Sequence, residues 1–367
     1  MKKIKLVLSV CLALSVLLVF AFLPGCTAAS VETTAAETTA AAAETTSAPE
    51  TTAAPETTAA EAVTDLPMKG WKVGYLPGSL RDNSRIAWSK ALEERVREAG
   101  AEEFITIDSQ LDITKQVSDG EDILQMGINI LVMNPNDADA MIPIVEKANE
   151  MGIPVVCIDR ATNGGTVIST VGLDNWQLGE GSAKFIVEKL IERYGEAKGK
   201  VLHLQGSLGA SVVYERGESF RQVLMKYPDI KIVGEPSSKG WTAEDGLAFT
   251  EDALSANPDL DALYTHTDAI TMGAFNAVEA AGKLDQVIIV GQNFYGGIPE
   301  IIKEGKYEVY DWALDAKAIG YETGNVCIKI AQNRLNEIPL KLGLPNFFVD
   351  KNNVEELWKY NLDVPSE

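Results

Sequence analysis

Histidine is nearly absent from this chain, with only His203 and His266. No His/Cys/Asp/Glu set stands at the spacing of a zinc site. There is no G-x-S-x-G elbow and no P-loop lysine motif either, so the commonest signatures of enzymes are missing. Cysteine is also scarce. Cys11 and Cys26 lie in the leader, which leaves Cys157 and Cys327, each inside an apolar run. Two such thiols read as buried small hydrophobes ahead of a disulfide. Positive charge is in deficit, 32 Lys and Arg against 53 Asp and Glu, for a formal net charge of −21. That charge repels nucleic acid, and no basic patch or helix-turn-helix offsets it. The expectation is a non-enzymatic protein with no cofactor, no metal and no nucleic-acid partner.

The chain opens with Lys2, Lys3 and Lys5, then an apolar run from Leu6 to Phe22, then Leu23-Pro24-Gly25-Cys26. A basic start and an apolar run make an export signal, although by length alone the run also suits a short membrane span. Residues 27–65 repeat Thr, Ala and Glu with two prolines and almost no large apolar side chain. Such a stretch cannot bury enough surface to offset chain entropy and is expected to be disordered. Its reach is ~35 Å by square-root scaling.

From Trp71 onward, short apolar runs alternate with amphipathic segments. WKVGYL (71–76), EFITID (103–108), INILVMNP (128–135), IPVVCID (153–159) and TVISTVG (166–172) read as strands. Between them lie helical patterns such as 84–100, with Ser84 as the expected N-cap and Gly100 as the expected stop. A second series begins at 175, with strands GKVLHLQG, IKIVGEP, LDALYTHTD and QVIIVGQNF. The strands are too apolar to alternate, so both sheet faces are covered, as in parallel sheets with crossover helices. The fold class is therefore α/β. Two successive series suggest two Rossmann-like lobes, each a parallel sheet flanked by helices.

The strand ends are polar: GSLRDNSR, NPNDAD, DRATN, QGSLGAS, THTDA and GQNFYGG. Ligands of such sheets sit beyond the carboxyl ends of the strands, which points to a cleft between the lobes. Asp159-Arg160 ends one buried strand. By local sequence it reads first as a structural ion pair and second as a docking point for a polar ligand. The Gly-rich 206–211 segment reads as a turn with an N-cap, and as an anion cradle only on weak grounds.

The run ILVMNPNDADAMIPIVEKANEMGIPVVCIDR, followed by VGLDN, YERGESF and ANPDLDALYTHTDAITMGAFNAVEAAG, resembles the type I periplasmic-binding-protein family in its ribose-binding-like sugar branch. The match runs in order over nearly the whole body, 71–360. LPGC likewise resembles a lipoprotein lipobox, which implies acylation at Cys26 and an anchor on the outer face of the cytoplasmic membrane. These resemblances imply a signal peptide over 1–25 and an acylated linker over 26–69. They imply an N-terminal lobe of 70–173 plus 315–346 and a C-terminal lobe of 174–314 plus 347–367. Three hinge crossings would fall near Leu173–Asp174, Leu314–Asp315 and Phe347–Phe348. They further imply a monomeric receptor that hands a sugar to an ABC-type permease, or a sensor of the same fold that presents its ligand to a signalling receptor.

The family's sugar contacts carry over to Asp159 and Arg160, a carboxylate acceptor beside a forked donor. They also carry over to Arg216 in YERGESF, to Trp241 as a ring-packing aromatic, and to Thr267 and Asp268 where an Asn-Asp pair is usual. Asn293 stands in place of an Asp, and the last contact falls among Asp311, Trp312 and Asp315. By local sequence alone, Arg216 also reads as a solvated helix arginine and Trp241 as a core residue. The first loop departs from the pattern. Arg81, Asp82, Asn83 and Arg85 replace an Asn followed by an aromatic pair. That departure shifts the expected ligand from ribose toward another monosaccharide, a furanose, a polyol or a sugar acid.

Overall fold

The computed structural model describes residues 66–363, which lie within one compact unit, 62–367. The signal peptide, Cys26 and most of the Thr/Ala/Glu linker lie outside the described residues.

The first lobe is built from β1 (Lys72–Leu76), α1 (Asn83–Glu98), β2 (Glu103–Thr106), α2 (Ile113–Leu124), β3 (Ile130–Met133), α3 (Ile142–Glu150), β4 (Val155–Ile158) and β5 (Ser169–Leu173). The second contains α4 (Asn175–Tyr194), β6 (Gly199–Leu204), α5 (Ser211–Leu224), β7 (Ile230–Gly234), α6 (Ala243–Ala256), β8 (Ala262–Thr265), α7 (Asp268–Ala280), β9 (Ile288–Val290), α8 (Ile298–Glu304) and β10 (Val309–Leu314). The chain then returns through α9 (Ala316–Ala331) and β11 (Lys341–Leu344) to the first lobe. It ends with β12 (Asn346–Val349) and α10 (Val354–Leu357) on the second. Strand order is β11-β5-β4-β3-β1-β2 in one sheet and β12-β10-β9-β8-β6-β7 in the other.

Every pairing in the first sheet is parallel. In the second, β12 pairs antiparallel with β10, so that sheet is parallel except at one edge. Topology gives the reason. Both β10 and β11 run toward the hinge, and a single residue, Pro345, carries the chain across, so β12 enters the second sheet running away from the hinge. The third crossing therefore lies at Pro345, not at Phe347–Phe348. The other two passages between the sheets occur at Asp174 and Asp315, each of which caps the helix that follows by accepting a backbone N–H.

The strand interiors explain the sheets. β3 and β4 are buried at every position, and apolar clusters cover both faces of each sheet. Only covered faces favour such continuous apolar strands. The start of α1 differs from expectation. Its N-cap is Asp82, not Ser84, because the carboxylate accepts the Arg85 N–H at 2.9 Å. Cys157 and Cys327 are buried free thiols, and burial pushes each up to about 12.

Candidate functional site

The carboxyl ends of both sheets face one another across a cavity of about 350 Å³, at the small end of the range for small-molecule sites. Ten of the residues expected from sequence line it: Arg81, Asp82, Asn83, Arg85, Asp159, Arg160, Arg216, Trp241, Thr267 and Asn293.

Asp159 follows β4 in an unusual backbone state. Its φ is +65° and Arg160 N–H donates to Ile158 O at 2.7 Å, a three-residue turn centred on a non-glycine. Such turns are strained and concentrate at ligand sites. The turn aims the Asp159 carboxylate and the Arg160 guanidinium into the same space. Arg160 Nε lies 3.6 Å from Asp159 Oδ2, and its guanidinium carbon sits 5.0 Å from the Trp241 ring centroid. Burial, then the nearby Arg85 charge, lower the Arg160 guanidinium to about 9, which leaves it charged at neutral pH. Trp241 itself has φ +58°, and its ring edge is so close to Gly206 that a Cβ there would stand 2.0 Å from the indole.

Arg85 bonds Asp82 through Nε at 2.9 Å. Arg216 is buried and donates from Nε to Asn175 Oδ1 and from Nη1 to the His266 carbonyl, both at 2.8 Å, and burial lowers its pKa. Behind it, His203 donates from Nδ1 to Glu235 at 2.8 Å and accepts at Nε2 from His266 at 2.9 Å, the tautomers that satisfy most partners. Both histidines are therefore interior scaffolding beneath Arg216.

Three expected residues lie outside the cavity lining. Asp268 is fully buried beneath the 292–295 loop and accepts Gln292 N–H at 3.1 Å and Tyr295 N–H at 2.9 Å. Its carboxylate therefore shapes the loop that presents Asn293 and Tyr295. Trp312 donates to Ser182 at 3.0 Å and packs edge-on to Phe348. Asp315 caps α9 by accepting Ala318 N–H. Asp311, the remaining competitor for the last contact, is buried next to Asp268, and burial raises both carboxyls.

The structure also adds lining residues that sequence reasoning missed. Tyr295 lines the cavity, its hydroxyl 2.9 Å from Thr267 Oγ1. It stands two residues after Asn293 at the same strand end, which was the available signal. Trp88, whose Nε1 donates to Tyr75 at 3.0 Å, gives the first lobe an aromatic face one helical turn after Ser84. The first loop carries no aromatic pair, and the face is supplied from α1 instead. Away from the hinge the lobes touch. Ala138 N–H donates to Gly209 O and Ala161 N–H to Ser211 Oγ, both at 2.9 Å, and nearer the hinge Lys341 of β11 pairs with Glu215 at 2.7 Å. The cleft is closed.

A family model described as a periplasmic binding protein domain matches residues 73–335. The chain is 34% identical over 224 residues to the ribose import binding protein of Bacillus subtilis (strain 168), an alignment spanning 61% of this chain and 70% of that protein. It is 30% identical over 304 residues to the D-xylose-binding periplasmic protein of Escherichia coli (strain K12), spanning 76% of this chain and 88% of that one. Among solved structures, an ABC-transporter solute-binding protein from Mycobacterium smegmatis with bound glycerol superposes with a TM-score of 0.71 at 28% identity, covering 78% of this chain and 96% of that one. One from Bacillus halodurans C-125 with bound myo-inositol gives 0.70 at 26%, covering 79% and 97%. Its alternating two-lobed architecture, its closed cleft and these matches together place the chain in the periplasmic binding protein family, in the ribose-binding-like sugar branch.

Proposed function

We propose that this protein captures a monosaccharide or related polyol in the cleft between its lobes and delivers it to the permease of an ABC importer. It acts outside the cytoplasm as a monomer tethered through a lipid on Cys26, and it performs no chemistry on its ligand. The observation that carries this reading is the cavity between facing strand ends. There Asp159 accepts, and Arg160 and Arg216 donate, beside Trp88 and Trp241. A sugar presents hydroxyls that donate and accept along its edge and C–H bonds on its faces, and this set of groups answers both. Relatives named for ribose, D-xylose and, in a bound structure, myo-inositol support the same ligand class.

A thermal-shift screen of the full chain against pentoses, hexoses and polyols tests the ligand class. A ligand held at a hundredfold excess over its Kd should stabilise the folded state by about 2.7 kcal/mol. A panel with no stabilising member would exclude the reading. The tether is tested separately. Cys26→Ser should move the protein from the membrane fraction to the soluble one, and an unchanged distribution would exclude acylation at Cys26.

A further inference from the structure

We infer that the ligand carries one anionic group, an oxyanion such as a carboxylate, in addition to its hydroxyls. This inference rests on the reading of the cleft as a site for a polyhydroxylated molecule, and it narrows that class. The reason is a charge imbalance inside the closed cavity. Three buried guanidiniums line it, those of Arg85, Arg160 and Arg216, with Arg81 at its exposed mouth, against two carboxylates, Asp82 and Asp159. Asp82 is matched with Arg85 and Asp159 with Arg160. Arg216 has no carboxylate partner. Its Nε and Nη1 meet a side-chain amide and a backbone carbonyl, and Nη2 has no hydrogen-bond partner among the described residues.

Burial makes this surplus costly, because a desolvated cation without a counter-charge is disfavoured. Arg85, Arg160 and Arg216 are all more than nine-tenths buried. Two further donors are buried with no hydrogen-bond partner, Arg85 Nη1 and Arg160 Nε. One helix end adds to the field. Val212 in the first turn of α5 borders the cavity, so a positive dipole end opens onto it, whereas at α7 the Asp268 carboxylate in the first turn offsets the dipole. A neutral sugar would satisfy some of these donors but leave the excess charge enclosed. An oxyanion satisfies both, and its forked geometry suits guanidinium donors. The surplus is local, because the whole chain carries a net charge of −21.

The test is calorimetric titration of the full chain with matched pairs: D-xylose and D-xylonate, D-glucose and D-glucuronate, D-ribose and ribose 5-phosphate, with acetate and inorganic phosphate as bare anions. The expected result is that at least one acid or phosphate binds roughly tenfold to a hundredfold more tightly than its neutral parent. The acids and the phosphate identify which oxyanion is the source. Arg216→Gln should remove most of that advantage while the neutral parent loses less. Should Arg216→Gln fail to fold, Arg81→Gln at the exposed mouth should reduce the same ratio. A neutral parent binding as tightly as its acid overturns the inference and leaves the sugar-binding reading intact. Bare acetate or phosphate binding as tightly as the sugar acid overturns the hydroxylated-ligand reading, and binding by no member overturns both.

Discussion

Asp159 illustrates how a single residue joins fold to site. Its amide donates to Val171 O at 2.7 Å, so the end of β4 remains tied to β5 while its φ reverses to +65°. Gly172 makes room for this turn, since a Cβ there would stand 2.9 Å from the Asp159 Cα. The side chain thus departs from the sheet at a fixed angle, pre-organised for a ligand. Truncating it removes an acceptor and leaves Arg160 as a buried cation with a weaker neighbourhood. Asp159→Ala should therefore weaken binding of the best ligand by roughly tenfold or more. Titration of wild type and variant checks this, and equal affinities would remove Asp159 from the site. Residues of this kind were legible in the sequence because they follow apolar strands directly. Asp268 and Trp312 were misplaced for a physical reason. At strand and helix ends the sequence shows that a polar or aromatic group is present, but not whether it faces the cleft or turns inward to hold a loop. Tyr295 was missed for the converse reason, because two consecutive positive-φ residues, Asn293 and Phe294, redirect the chain before it.

At the scale of elements, the β9–α8 connection shows how a loop is held from beneath. Asp268, the first residue of α7, takes two of its amides, and the Asp311 carboxyl on β10 is buried nearby. Burial raises Asp268 from its ordinary 3.8 to about 6, and burial with the Asp268 charge raises Asp311 well above that range. The folded pair therefore retains a proton that the unfolded chain releases near pH 4. Because the folded state binds more protons, the pair's contribution to stability declines as pH rises from about 4 through 6 and onward until Asp311 ionises. Asn at 311 keeps a donor in the position of the acid proton but does not titrate. The melting temperature of Asp311→Asn should fall less steeply than that of wild type across that window. Parallel melting curves against pH would show that the two carboxyls do not share a proton. Regular elements were readable from periodicity as far as β9. Beyond it, α8 is only seven residues long, and the hinge strands β11 and β12 are placed by the two lobes they join.

For the molecule as a whole, function depends on two bodies meeting along an edge far from their hinge. The contact that closes it is backbone to backbone, Ala138 N–H to Gly209 O at 2.9 Å, and so requires close approach. Gly209 permits that approach, since a Cβ at 209 would stand 2.0 Å from Asp137 Oδ2. Asp137 has little freedom to yield, because its other oxygen accepts the amides of Asp139 at 3.0 Å and Ala140 at 2.8 Å. Neither lobe's core involves this position, so a larger side chain there should leave each lobe folded and oppose only closure. If ligand is held by the closed form, its apparent affinity falls in proportion to the closed fraction. Gly209→Val should therefore raise the radius of gyration in small-angle scattering with ligand present. It should also weaken binding about tenfold or more, with the melting temperature of the free protein nearly unchanged. A variant that binds and scatters like wild type would show that this edge does not govern closure, and the hinge segments at Asp174, Asp315 and Pro345 would then have to set it.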